Sequence, residues 1–321
     1  MNNSIEAKKQ HRQIIKADIS NYFKDIYKVR DAMELENLRE KSCTNYTSYL
    51  NKFSGWLVVF QGGLSFSALT PDTIREFIRF LKDTLELAPN TINGYLAAIR
   101  KMYGIVRQEE LSKRVIPDLV VDTGLPKVPT VAEVGAMLKA CKDDKDTLIV
   151  LLVSSTGMRC KEMQHLRFCD IRKDTKQIYI ADSKGRSDGY VPLTNHVIEV
   201  LTRYCRAFNA SHPDNMFTPT DYIFPSAKDR SQCESIYSLR KRLIQIQERS
   251  GLAAKGYRFH SLRHYYALNL YLQSHDLYLV KKLLRHRTLN ATMKYIVLAA
   301  SREVQDQYDN PGDLAYSAAE K

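Results

Sequence analysis

The sequence predicts a mainly α-helical (α+β) fold, with a helical N-terminal domain followed by a mostly helical domain that carries a small antiparallel sheet. Apolar residues recur at helical spacing through 42–116 and again beyond residue 130. Between these two runs, residues 117–129 contain three prolines and one glycine, a composition typical of a linker. Residues 177–181 and 190–193 flank a glycine-containing loop and predict a β-hairpin.

The first 116 residues predict two helical segments. Residues 1–41 carry charges of both signs with scattered apolar residues, which indicates one or two amphipathic helices in an N-terminal helical extension. Residues 42–116 predict a separate domain of four or five helices. Within it, Thr70 can cap a helix that has Pro71 at its first position, and Pro89 begins another helix.

The second domain is predicted to span 130–300. Thr130 and Glu133 form a capping-box pattern that opens its first helix. An apolar helix then ends at Gly157, which places Arg159 at a turn before the next helix. The remaining segments are the hairpin tip with Lys184, helices at 194–208 and 235–249, and a polar C-terminal tail at 301–321.

The chain is strongly basic, with a formal net charge of +12. Such a charge favours a polyanionic partner, either nucleic acid or an anionic membrane. No stretch approaches roughly 18 uncharged apolar residues, and the first residues lack the apolar core of a signal peptide. We therefore expect a cytoplasmic, nucleoid-associated protein that binds DNA. Residues 1–41 could then be an extra DNA-binding arm, although we favour a solvated helix that joins the next domain.

The cysteines and histidines argue against a metal site. The six cysteines include no CxxC pair, which indicates reduced thiols. His260 and His264 stand at the i, i+4 spacing that can bind zinc. Because Arg263 lies between them and no HExxH sequence is present, we predict neither a metal nor a cofactor.

Two basic clusters and a tyrosine lie within residues 260–295. The clusters are His260-Ser261-Leu262-Arg263-His264 and Arg285-His286-Arg287, and Tyr295 follows nine positions after His286. A phenol has a pKa of about 10 and is a poor nucleophile at neutral pH unless neighbouring groups assist it. Arginines and histidines can hold a phosphate and stabilise the charge that develops on its oxygens. The spacing suggests phosphoryl transfer through a tyrosine.

These motifs resemble those of the tyrosine recombinase (phage integrase) family. The HxLRH cluster, the second histidine and the tyrosine nine residues later share its order and spacing. Residues 156–166, TGMRCKEMQHL, resemble its TGxRxxEhxxL box. Residues 182–185, DSKG, followed by YVPL at 190–193, resemble the hairpin that carries its catalytic lysine. Four boxes in the expected order, across about 140 residues, make the resemblance specific.

The resemblance implies catalytic roles for residues of all four boxes. Tyr295 would be the nucleophile, and Arg159 and Arg263 would each hold non-bridging oxygens of the scissile phosphate. His260 and His286 would donate hydrogen bonds to the same phosphate, and His260 could also accept the proton of the phenol.

The hairpin implies a general acid. Lys184 would protonate the departing 5′ oxygen, with Arg186 as the alternative basic residue in that loop. Glu162 and His264 match the motifs and would orient the site rather than react.

The resemblance also implies an activity and its partners. The chain would be a site-specific recombinase or integrase that cuts and rejoins DNA through a 3′-phosphotyrosyl intermediate, in the integration and excision of a mobile element. Residues 42–116 would be the SAM-like core-binding domain that clamps DNA, and 130–300 the catalytic domain. The implied partner is double-stranded DNA, bound by a homotetramer on two recombination sites. An accessory DNA-bending protein could also take part, and no membrane is involved.

Two other functions, a type IB topoisomerase and an inactive DNA-binding regulator, are alternatives to a recombinase. A type IB topoisomerase uses similar chemistry, but the short clamp domain and the integrase-like boxes favour a recombinase. A catalytically inactive DNA-binding regulator would be expected to have lost members of the catalytic set, whereas this sequence retains all of them.

Arg285 stands where the family usually has glycine, and Tyr265 where a small hydroxyl residue is common. Neither change removes a group that the chemistry needs.

Overall fold

The computed structural model describes residues 2–122, 124–181 and 188–307. The chain divides into two compact units, Met1–Thr123 and Gly124–Lys321. Both units are mostly helical, and the second contains a small three-stranded antiparallel sheet. The predicted fold class is therefore confirmed.

The first unit is a bundle of helices around one apolar core. Its main helices are α1 (Asn2–Lys16), α2 (Phe23–Leu35), α3 (Glu40–Phe60), α4 (Pro71–Arg79) and α5 (Pro89–Arg107). Helix α4 begins as predicted, because the Thr70 side chain accepts a hydrogen bond of 3.3 Å from the backbone N–H of Thr73. Phe53, Trp56 and Phe77 form an aromatic centre in the core.

The N-terminal residues differ from the solvated helix that we favoured for 1–41. In α2, Ile26, Val29 and Met33 follow one another at helical spacing and are buried in the same core as residues of α3 and α5. The amphipathic face that the sequence shows is thus covered by neighbouring helices rather than by water. Helices α1 and α2 belong to the first compact unit.

The second unit is built around a central helix. Its helices are α6 (Val131–Lys139), α7 (Asp144–Thr156), α8 (Cys160–Gln164), α9 (Asn195–Ser211), α10 (Ile236–Arg249), α11 (Phe259–Ser274), α12 (Leu277–Leu284) and α13 (Asn290–Gln307). Helix α7 packs against α6, α9, α10 and α11, and its apolar residues from Leu148 to Val153 lie in the core. The capping box of Thr130 and Glu133 at the start of α6 is formed.

The sheet consists of three short antiparallel strands, β1 (Ile171–Arg172), β2 (Gln177–Ile180) and β3 (Gly189–Pro192). In the β2–β3 hairpin, Gln177 faces Pro192 and Ile180 faces Gly189. The hairpin loop with Lys184, Gly185 and Arg186 lies outside the described residues.

The end of the described chain is helical. Helix α13 continues to Gln307 and so extends past residue 300, where the predicted tail begins; residues from 308 onward lie outside the described part. Together, α11, α12 and α13 enclose a second apolar cluster that includes Leu268, Leu284 and Tyr295. Among the helices that the structure describes, none has the length and apolar character that crossing a membrane requires.

Candidate active site

Four helix ends and turns of the second unit bring five of the six predicted site residues together. Helix α7 ends at Gly157, whose φ of 63° is left-handed and whose added Cβ would collide with the Tyr266 ring. The chain then turns, and Arg159 precedes α8. His260 and Arg263 lie in the first turns of α11, His286 follows α12, and Tyr295 lies on α13. Lys184, the sixth predicted residue, lies outside the described part of the chain.

The phenol of Tyr295 points into the protein. Its side chain is 0% exposed, and its hydroxyl lies 2.8 Å from Nδ1 of His264. Burial raises the pKa of Tyr295 to about 12, although the charges of Arg263 and Arg159 oppose the rise. The nucleophile that we predicted is therefore a neutral, hydrogen-bonded phenol in this arrangement.

Three histidines of the cluster are neutral at physiological pH. Burial, followed by the charges of nearby cations, lowers the pKa of His264 and of His286 to about 3. The same causes lower the pKa of His260 to about 4, although this residue is more exposed than His264 and His286. The rings of His260 and His264 are in edge-to-face contact, and Nδ1 of His286 lies 2.8 Å from the hydroxyl of Thr292. Neutral imidazoles can accept protons.

Arg263 joins the ends of two helices. Its side chain is 1% exposed; Nη1 donates to the carbonyl of Gly157 at 2.5 Å and Nη2 to that of Leu284 at 2.6 Å. These carbonyls lie at the C-terminal ends of α7 and α12, where helical carbonyls lack partners and carry partial negative charge. Burial, followed by the charge of Arg159, lowers the pKa of Arg263 to about 9, so the guanidinium stays protonated at pH 7.

Arg159 is held by a carboxylate. The Oε1 of Glu162 accepts from Nη1 of Arg159 at 2.6 Å, and its Oε2 accepts from the backbone N–H of Arg159 at 2.7 Å. Arg285 donates to the same Oε2 at 2.6 Å. Burial raises the pKa of Glu162, but the charges of Arg285 and Arg159 outweigh that effect and hold the pKa below its usual value.

A cavity of about 670 Å³ opens beside these residues. Its lining includes Arg159, Arg240, Arg258, His260 and Arg263. Guanidinium groups bind phosphate oxygens through paired hydrogen bonds, so a cavity that four arginines line fits an anionic phosphate group.

Two contacts of the site were not predicted from the sequence. The partner of the Tyr295 hydroxyl is His264, one helical turn from His260 on the same face of α11. Arg285 contacts Glu162 across 123 positions of sequence. The i, i+4 spacing of the histidines could have indicated the first contact, whereas no local pattern indicates the second.

Comparison with known proteins identifies the family. Residues 127–302 match the phage integrase family, and residues 26–113 match its N-terminal SAM-like domain. The chain belongs to the phage integrase family of tyrosine recombinases. It is therefore an enzyme that breaks and rejoins DNA strands. The SAM-like match begins at residue 26, inside the segment that we predicted as a separate extension.

Named relatives of this recombinase are distant. The tyrosine recombinase XerA of Pyrococcus horikoshii is 24% identical over 293 residues, which cover 89% of this chain and 91% of the relative. The Tn1549 transposon integrase, in complex with transposon right end DNA, has a TM-score of 0.66 at 14% identity, over 88% of this chain and 99% of that one. The XerH site-specific recombinase bound to its difH substrate has a TM-score of 0.61 at 19% identity, over 86% and 78%. The two structures show that the fold is shared.

Proposed function

We propose that this recombinase cuts and rejoins DNA at specific sites through a covalent 3′-phosphotyrosyl bond to Tyr295. The observation that carries the proposal is the convergence of one buried tyrosine with two arginines and three histidines beside a cavity lined by arginines. Arg159 and Arg263 hold the non-bridging oxygens of the scissile phosphate and stabilise the charge of the transition state.

The proposed cleavage step exchanges one phosphodiester bond for another. The Tyr295 hydroxyl oxygen forms a bond to phosphorus, the bond to the 5′ oxygen breaks, and the 5′ oxygen leaves as a hydroxyl. Because His260 is neutral and lines the cavity, we propose it as the acceptor of the phenol proton. His286 donates to the phosphate, and Tyr295 leaves its hydrogen bond to His264 before it attacks.

The leaving 5′ oxygen needs a proton, and Lys184 is the group that we propose to supply it. Strands β2 and β3 belong to the hairpin that carries Lys184, and Gly189 of β3 lies against the side chain of Arg285. The rejoining step runs in reverse, when a 5′-hydroxyl of the partner duplex attacks the phosphotyrosyl bond. The bond energy stays in the covalent intermediate, so the proposed cycle consumes no nucleotide.

The proposed partner is double-stranded DNA, bound by a homotetramer on two recombination sites, and an accessory DNA-bending protein could assist the complex. The net charge of +12 and the arginines of the cavity support a polyanionic partner. The relatives named above include a transposon integrase on transposon DNA, which supports a role in the integration and excision of a mobile element.

Covalent capture tests the proposal. A nicked suicide substrate that carries the recombination site traps the adduct, which denaturing electrophoresis detects. The wild-type chain should form the adduct and Tyr295→Phe should not, although DNA binding stays nearly unchanged, because only the nucleophilic oxygen is lost. Tyr271→Phe, a neighbouring tyrosine that packs on the same apolar cluster, should behave as wild type. An adduct with Tyr295→Phe would assign the nucleophile elsewhere, and no adduct with wild type would indicate a DNA-binding regulator.

A further inference from the structure

Arg285 occupies a backbone conformation that suits glycine better. It ends α12 with a φ of 53°, in the left-handed region where a side chain costs backbone strain. A strained position that keeps a large side chain points to a role for that side chain. Its contacts show what the role is.

The Arg285 side chain is buried and directed at the candidate active site. The residue is 5% exposed, Nη2 donates to Oε2 of Glu162 at 2.6 Å, and Nη1 donates to the carbonyl of Leu283 at 2.9 Å. Its own carbonyl lies 3.5 Å from Nη2 of Arg159. Both the side chain and the backbone of Arg285 thus adjoin the Arg159–Glu162 pair.

The contacts place one carboxylate between two guanidinium groups. Glu162 alone would neutralise Arg159, and a scissile phosphate would then meet an ion pair with no net charge. With Arg285 included, the trio has two positive charges and one negative charge, so a net positive charge remains beside the phosphate. Arg285 also fixes Oε2 of Glu162, which in turn accepts from the backbone N–H of Arg159.

We propose that Arg285 is a positioning residue for DNA cleavage. It holds Glu162 in place, which keeps Arg159 oriented, and its own charge prevents Glu162 from cancelling the positive charge of Arg159. This inference rests on the proposed function, in which Arg159 grips the scissile phosphate. Because the Arg285 side chain is buried and bonded to Glu162, its proposed action on cleavage is indirect.

A pH profile distinguishes positioning from a merely structural role. The charged groups that act on Glu162 are Arg159 at the start of α8, Arg263 on α11 and Arg285 after α12, and Tyr266 of α11 lies beside Arg285. Arg285 lowers the pKa of Glu162 and so opposes the effect of burial, which means that this pKa is higher in a variant without the Arg285 charge than in the wild-type chain. Protonated Glu162 loses the charge-assisted hydrogen bonds that orient Arg159, and we expect this loss of orientation to slow cleavage more than the added positive charge speeds it. Cleavage should therefore fall on the acidic side, at a higher pH than in the wild-type chain.

The experiment compares Arg285→Gln with Arg285→Lys, which are similar in length but differ in charge. Single-turnover cleavage of the suicide substrate is measured across pH, together with the Kd for DNA. Arg285→Gln should cleave about 10- to 100-fold more slowly, because a small misplacement of a group that holds the reacting phosphate can cost up to about 10²-fold in rate. Its acidic limb should move to higher pH, because the pKa of Glu162 rises, whereas its Kd should stay within about twofold. Arg285→Lys should recover most of the rate and the wild-type acidic limb.

Arg249→Ala is the matched control. Arg249 donates to Oδ2 of Asp146 at 2.6 Å, and Arg242 donates to Oδ1 of the same carboxylate at 2.7 Å, so the second unit contains another arginine–acid–arginine trio. Arg249→Ala should lower the melting temperature without moving the pH profile of cleavage.

Three outcomes would overturn the inference: a wild-type rate and profile in Arg285→Gln, an equal shift in Arg249→Ala, or no recovery in Arg285→Lys while that variant stays folded. If Arg285→Gln does not fold, Arg285→Lys decides the question, because the inference then requires a folded, active variant with the wild-type acidic limb. A wild-type chain that forms no adduct would contradict the proposed function instead.

Discussion

The hydrogen bond between Tyr295 and His264 predicts how the nucleophile is held before cleavage. His264→Phe keeps a ring of similar size but removes the nitrogen that shares this hydrogen bond, so the buried Tyr295 hydroxyl loses its partner. An unsatisfied buried hydroxyl costs about 1–3 kcal/mol. The free energy of unfolding of the variant should fall by that amount, and its urea midpoint should be correspondingly lower. The same loss destabilises the buried position of Tyr295 relative to a position in which the hydroxyl reaches the phosphate.

Cleavage should respond in the opposite direction to stability. If Tyr295 leaves His264 before it attacks, the hydrogen bond between them opposes that departure by about 1 kcal/mol, and His264→Phe removes this barrier contribution. Single-turnover cleavage per folded molecule should therefore be unchanged or up to about fivefold faster. The assay is adduct formation at saturating DNA, normalised to the folded fraction. A loss of about 10²-fold or more would refute the reasoning and make His264, rather than His260, the acceptor of the phenol proton.

A double-mutant cycle supplies the control. Tyr295→Phe and His264→Phe each break the same bond, so the double variant should be less destabilised than the sum of the two single variants, by about 1–2 kcal/mol. Additive free energies of unfolding would mean that the 2.8 Å contact contributes nothing measurable.

The remaining predictions test the other groups. Arg159→Ala and Arg263→Ala should each slow cleavage by roughly 10²-fold or more in single-turnover assays, and a near-wild-type rate in either would remove that arginine from the phosphate site. Binding should weaken on the order of 10³-fold between 50 and 200 mM salt for about 6–10 phosphate contacts; a flat response in a filter-binding titration would place the basic residues off the DNA. Lys184→Ala should be nearly inactive on ordinary DNA but active on a 5′-bridging phosphorothiolate, whose thiolate leaves without a proton. Rescue of Arg186→Ala instead would move the general acid to Arg186.

Local sequence patterns predicted helix and strand elements in both units. Thr70 and Pro71 begin a helix, and Gly157 ends one, because caps and left-handed positions depend on residues that are close in sequence. The strands at 177–180 and 189–192 agree with the predicted hairpin to within a residue. The spacing of the basic residues on α11 also follows from helix geometry alone.

Contacts between distant elements could not be predicted in this way. The bond from His264 to Tyr295 spans 31 positions and depends on how α11 packs against α13. The contact from Arg285 to Glu162 depends on where α12 ends relative to α8. The burial of Val29 shows the same difficulty, since an amphipathic pattern reveals an apolar face but not the element that covers it.

Mutations of Arg263 and of Tyr295 should inactivate this recombinase with different effects on its stability. Because the Arg263 guanidinium joins the carbonyls that end α7 and α12, a mutation that removes it damages the fold together with the chemistry. We expect the product of such a mutation to be less stable and therefore more susceptible to cellular proteases. Loss of the Tyr295 hydroxyl, by contrast, removes one hydrogen bond but leaves the apolar packing of the ring in place, so we expect a folded protein that still occupies DNA. Inactive copies that persist and compete with the active enzyme should therefore retain Arg263 and lack the tyrosine.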